Sequence, residues 1–170
     1  NVFVGGHAGD AITSGGRNIA MGYAALSTED AHGRNTAIGH QALTTQNAGA
    51  DAYNVAVGYD AGVLVTTGIK NTLLGGLAGD SLTTGSTNVA IGYDALSTED
   101  TGTASVAIGA FALKLQNYNG NAYNVAIGHD AGKAVTTGVQ NTLIGGLAGD
   151  SLTTGSSNTA LGYSSAGAMT

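Results

Sequence analysis

Four histidines, eleven acidic residues and a recurrent Gly-Gly-Leu-Ala-Gly-Asp segment are the parts of this chain with chemical potential. Hydrolysis of a glycosidic bond needs two carboxylates a few ångströms apart. Asp10, Asp80 and Asp150 recur at one long interval, and Glu29-Asp30 recurs as Glu99-Asp100 at the same interval. Acids that share a repeated position are therefore separated by uncharged sequence, no catalytic pair is expected, and the chain is read as a non-enzyme. His40 and His129 share a position but lie five repeats apart, about 24 Å if the repeats stack as strands do. With His7 and His32 also isolated, no metal site is expected within one chain. Only three copies around an axis would bring the histidines together, and solvated or hydrogen-bonded imidazole is the plainer reading. The glycine-rich segments lack the Lys-Ser/Thr and helix of a phosphate loop, and the nine-residue rhythm of calcium-binding repeats. No cofactor is expected.

Behind these residues lies a repeat. Aligning on the tract Asn, β-branched, small, aliphatic, Gly gives ten starts, at Asn1, Asn18, Asn35, Asn54, Asn71, Asn88, Ser105, Asn124, Asn141 and Asn158. These are 17-residue units, except for the 19-residue units at Asn35 and Ser105, where Ala52-Tyr53 and Ala122-Tyr123 are the apparent additions. Residues 1–70 match 71–140 at about half of positions, and a third copy begins at 141, so the single domain over 1–170 is a duplicated block of four repeats. A translational repeat of this kind stacks rather than closing into a globule. A β-branched second and an aliphatic fourth position alternating with a mostly Ala third position predict a short strand with apolar character on both faces. One face closes a coil and the other wants cover, which points to other chains.

The fifth position is Gly throughout (Gly5, Gly22, Gly39, Gly58, Gly75, Gly92, Gly109, Gly128, Gly145, Gly162), as a positive-φ bend or a closely approached backbone requires. Ala recurs three residues later in nine of the ten units, and together the two are expected to mark where chains meet. A second short strand and a Thr-Gly turn should complete each coil. The Asn at the first position is expected to form a side-chain amide ladder along the stack, a role compatible with turn dihedrals. The predicted architecture is an all-β parallel solenoid of about ten coils, about 45–50 Å long at the usual strand spacing.

Composition agrees with a thin, ordered rod. Charged residues are 9 % and hydrophobic ones 42 %, the opposite of a disordered chain, while two Phe and no Trp cannot fill a broad core. A net charge of −6 with five Lys and Arg argues against a nucleic-acid partner. No stretch approaches the roughly 18 apolar residues of a membrane span. The opening NVFVGGHAGD has no basic signal-peptide region, so export by another route or an internal place in a longer chain is expected.

Surface candidates lie at the sixth position, which carries Tyr23, His40, Tyr59, Tyr93, His129 and Tyr163, interrupted by Gly6, Gly76, Ala110 and Gly146. A row of rings stacks on sugars, or else caps the coil edge and fills grooves between subunits. Tyr53 and Tyr123 are expected to bulge from the rod, as recognition loops or as locks between chains. Paired threonines (Thr66-Thr67, Thr83-Thr84, Thr136-Thr137, Thr153-Thr154) raise an ice-binding surface, but adjacent strand residues face opposite ways and give no flat array.

The phrases NVAIG at Asn88 and Asn124, SVAIG at Ser105 and NTAIG at Asn35 resemble the YadA-like head repeats of trimeric autotransporter adhesins. The longer NTLIGGLAGDSLTTGSSNTALGY from Asn141 is similar to repeats of trimeric phage tail fibres. The units of this chain are longer than those common in the adhesin heads. The resemblance implies a left-handed β-roll, a homotrimer, and an extracellular place on a cell-surface appendage or virion. It also implies attachment to a cell-surface or matrix protein or glycan, with a structural filament or tail-fibre shaft as the alternative.

Overall fold

Every unit places its Asn, strand and Gly at the same point of a coil, so the coils superpose by translation. The computed structural model describes residues 1–167. One parallel sheet is formed by β1 (Val2–Val4), β2 (Ile19–Met21), β3 (Thr36–Ile38), β4 (Val55–Val57), β5 (Thr72–Leu74), β6 (Val89–Ile91), β7 (Val106–Ile108), β8 (Val125–Ile127), β9 (Thr142–Ile144) and β10 (Thr159–Leu161), in sequence order. The register never slips: Val89 pairs with Val106 and Ile91 with Ile108, and the longer unit at Asn35 still pairs Thr36 with Val55. The chain is an all-β solenoid.

Each coil contributes one strand, not two. Beyond the strand the backbone repeatedly enters the left-handed region, at the seventh position (Asp94, φ 59°), the ninth (Leu96, φ 53°) and the last (Lys70, φ 61°). Extended structure cannot continue through such residues. Coil-to-coil hydrogen bonding persists even so, as in Leu26 N–H to Ala42 O at 3.0 Å and Thr13 N–H to Asp30 O at 2.8 Å.

The middle residue of each strand points inward. Ala20, Ala37, Ala56, Ala90, Ala107, Ala126, Leu73 and Leu143 are fully buried, while the flanking second and fourth positions are only half-covered. Outside the strand, one larger aliphatic chain per inner coil completes the interior, in addition to Leu73 and Leu143 in their two coils. It stands at the ninth position (Leu26, Leu43, Leu96, Leu113) or, where the ninth is Gly, at the twelfth (Val65, Leu82, Val135, Leu152). The two choices fill one volume: a Cβ on Gly79 would meet Leu82 Cδ1 at 2.8 Å. Where Leu takes the ninth position, the twelfth is a buried polar chain: Glu29, Gln46, Glu99 or Gln116.

Two sequence expectations are corrected. The fifth-position glycine is required by its own next coil, because φ there is +116° to +146° and a Cβ on Gly39 would run into the carbonyl oxygen of Gly58. The recurrent Ala, fully buried at Ala25, Ala42, Ala61, Ala78, Ala95, Ala112, Ala131 and Ala148, lines the interior, so it does not mark a chain contact. The Asn column is also not an amide-to-amide ladder. Each Oδ1 accepts the backbone N–H one coil on, as Asn88 N–H to Asn71 Oδ1 at 2.9 Å, and in the shorter coils Nδ2 donates across its own coil, as Asn71 Nδ2 to Gly85 O at 2.8 Å. Facing a backbone donor and a backbone acceptor, the amide satisfies groups that burial would otherwise orphan. Asn158 Nδ2 to Asn141 Oδ1, 3.0 Å, is an amide-to-amide contact at one end of the stack.

Candidate binding surface

Stacking puts equivalent positions over one another, and the sixth position becomes a column of rings. His40 lies parallel to Tyr23 (centroids 5.5 Å apart, planes at 20°) and to Tyr59 (5.1 Å, 11°). The column extends where the sixth position is Gly or Ala, because the seventh then supplies the ring. His7, following Gly6, meets Tyr23 edge-on at 5.6 Å, and Phe111, following Ala110, bridges Tyr93 at 5.6 Å and His129 at 5.7 Å. The sixth-position pattern alone misses His7 and Phe111; the signal for them is an aromatic immediately after the small residue. Gly76 and Gly146, followed by Leu77 and Leu147, leave real breaks, and Tyr163 stands beyond the second. Tyr23, Tyr59, Tyr93 and Tyr163 are each more than half exposed.

Charges border this column. His7 Nδ1 lies 2.9 Å from Asp10, His40 Nδ1 3.3 Å from Asp60 and His129 Nδ1 3.1 Å from Asp130. Lys114 and Lys133 sit over the Phe111 ring at 5.1 and 5.2 Å while pairing with Asp94 and Asp130. The hydrogen bond to Asp94 holds the Lys114 ammonium above its ordinary pKa. The acids are less dispersed than their spacing within each column implies. Burial, then the charges of Asp94 and Asp60 on flanking coils, push the Asp80 carboxyl up, and its Oδ1 is buried without a partner. Folding brings different columns together, which same-position spacing does not reveal.

The apparent Ala-Tyr insertions are not the bulge. Ala52 and Ala122 are fully buried and stay in the ladder, with Lys70 N–H to Ala52 O at 2.7 Å and Gln140 N–H to Ala122 O at 2.8 Å. The corresponding bond in a shorter coil is Arg34 N–H to Gly16 O at 3.1 Å, so the extra residues are absorbed earlier, in the turns 48–51 and 118–121. Tyr53 and Tyr123 remain about half exposed at that corner. Arg34 lies 5.2 Å over the Tyr53 ring and pairs with Asp51, which holds the Asp51 carboxyl below its usual range; Tyr123 Oη accepts from Asn121 Nδ2 at 3.0 Å.

Of the paired threonines, Thr66 and Thr136 turn their hydroxyls along the stack, donating to Thr83 O and Thr153 O of the next coil, each at 3.2 Å. The other continuous surface is the outward strand face. Its columns run Val55, Thr72, Val89, Val106, Val125 and Val57, Leu74, Ile91, Ile108, Ile127, without a charge across all ten strands. Among the described residues no helix is long and apolar enough to cross a membrane. Comparison with protein-family models, with curated proteins and with solved structures gives no match.

Proposed function

We propose that this chain is a rigid, non-catalytic module of an extracellular trimeric fibre, and that its aromatic column presents a surface for attachment to a glycan or protein of a cell or matrix. The observation that carries the reading is the outward strand face. Both of its columns are aliphatic, Thr or Met and free of charge from β1 to β10, exposed in the end strands β1, β2 and β10 and partly exposed in β3–β9. Contiguous apolar surface on that scale marks an association site. A flat sheet face with one repeated chemistry is self-complementary, so further copies of the same chain are the natural cover. The trimeric state follows the resemblance to adhesin heads and tail fibres.

Attachment rests on the rings, which project beside that face, with Tyr23, His40 and Tyr59 held parallel by their own stacking. Exposed aromatic faces bind the apolar sides of sugar rings, and flanking carboxylates accept their hydroxyls. Light scattering after size exclusion should give three copies per particle; a stable monomer would overturn the trimeric fibre. A glycan array on the same material should show binding that Tyr23→Ala and Tyr59→Ala abolish. A trimer with no glycan or cell binding would leave the shaft role and remove the adhesive one.

A further inference from the structure

The two blocks differ at one corner in a way their sequences alone leave unexplained. Six of the seven complete shorter coils carry Gly at the fifteenth position (Gly15, Gly68, Gly85, Gly102, Gly138, Gly155), and the seventh carries His32. At Gly102, the counterpart of His32, a Cβ would collide with the carboxyl carbon of Glu99. Gly102 thus leaves room for that carboxylate, which is fully held: Oε1 accepts from Gly102 N–H at 2.9 Å and Asp100 N–H at 3.2 Å, and Oε2 from Gln116 Nε2 at 2.8 Å.

In the first block a side chain occupies that room, and the hydrogen bonds come apart. Glu29 is fully buried, as Glu99 is, and its Oε1 accepts from His32 N–H at 3.2 Å, but its Oε2 has no partner. The counterpart of Gln116, Gln46, leaves its Nε2 unpaired, and His32 Nδ1 is also buried without a partner. Two unpartnered metal-ligating atoms thus belong to neighbouring side chains, with Nδ1 3.9 Å from Glu29 Oε1, and the exposed Asp30 lies on the solvent side.

We propose that Glu29, Asp30 and His32 form a binding site for a divalent transition-metal ion of the zinc class, a site that the second block lacks because Gly102 replaces the histidine. One ligand atom from each of the three residues can be chosen so that all lie within 4.8 Å of one another. Zinc-class ions hold imidazole nitrogen and carboxylate oxygen at about 2.0–2.2 Å, so ligands on one ion lie up to about 4.4 Å apart and small side-chain shifts close the cluster. One imidazole and two carboxylates suit zinc, cobalt or manganese better than calcium, which takes oxygen ligands alone. Water completes the coordination on the Asp30 side. The site needs one histidine, so the separation of His40 from His129 does not bear on it.

Tag-free, metal-stripped protein titrated with Co²⁺ and Zn²⁺, followed by visible absorption and calorimetry, tests this. One ion per chain should bind. His32→Gly imports the residue that the second block already folds with, and Glu29→Gln keeps the shape of the buried chain. Each should lower affinity by at least about a hundredfold, since loss of even an outer-shell partner costs about 10–100-fold. No binding by the native chain overturns the proposal, with Glu29 then held by Gln46 as Glu99 is by Gln116. Binding undiminished in His32→Gly also overturns it, and places the ion at the His7–Asp10, His40–Asp60 or His129–Asp130 pairs.

Discussion

The carbonyl oxygen of Gly109 lies 2.5 Å from where a Cβ on Gly92 would stand. Since φ at Gly92 is +138°, Gly92→Ala meets both a forbidden backbone region and the backbone of the next coil. A cost of about 3 kcal/mol or more is expected, at the upper end of what backbone strain alone imposes. Gly16→Ala is the control, because no atom lies within 4 Å of its Cβ, and it should be nearly neutral. Urea denaturation of the two variants measures the difference.

Asn35 and Ser105 occupy the same place in the two longer coils, and only Ser105 fits its surroundings. Gln116 Nε2 donates to Ser105 Oγ at 2.8 Å, whereas Asn35 Nδ2 and Gln46 Nε2 are both buried and unpaired. In a shorter coil the Asn amide reaches the carbonyl at position fifteen, which the longer turn moves away. Asn35→Ser removes two orphaned donors and loses one bond, Asn54 N–H to Asn35 Oδ1 at 3.1 Å. The net gain expected is about 1 kcal/mol, the size of one buried hydrogen bond, read as a rise in thermal midpoint.

The raised Asp80 carboxyl makes a directional pH prediction. A group whose folded pKa exceeds its unfolded value stabilises the fold below the unfolded pKa, and that contribution is lost as pH rises through the folded one. Asp80→Asn should therefore raise the melting temperature at neutral pH and change it little below about pH 4, the ordinary Asp value. Asp51, lowered by Arg34, acts in the opposite sense, but as a surface pair open to solvent screening it contributes little. Melting curves at several pH values distinguish the two.

Ile91 and Ile108 are adjacent on the outward strand face, half-covered within one chain and paired in register. Replacing both with Lys places like charges one strand apart on a face that the proposed trimer buries. The double variant should dissociate to folded monomers, with a β-type circular dichroism spectrum retained. Persistence of the native particle size would show that this face is not the interface.

The repeat arithmetic determined the strands, since a strict Asn-to-Gly tract returning at one interval, with two slightly longer exceptions, fits only stacked coils, and all ten strands lie where the second to fourth positions put them. It also determined that the fifth position is glycine for backbone reasons. Period two says that a strand has two faces and not which is inside. Only the closed coil shows that Ala37 and Leu73 turn inward while Val89 and Ile91 face out, because the narrow interior takes one residue of each strand. Relations between different positions on neighbouring coils were equally out of reach, among them Phe111 joining Tyr93 to His129, Asp80 lying in the field of Asp60 and Asp94, and the longer turn forming at 48–51 rather than at Ala52-Tyr53. Sequence spacing orders residues along a column, but the lateral path of the chain between columns is set by left-handed corners such as Asp94, Leu96 and Tyr53, whose residue types do not announce them. His32 was legible only as an isolated histidine, and what it displaces became visible once Glu29 and Glu99 were seen buried in equivalent coils with different partners.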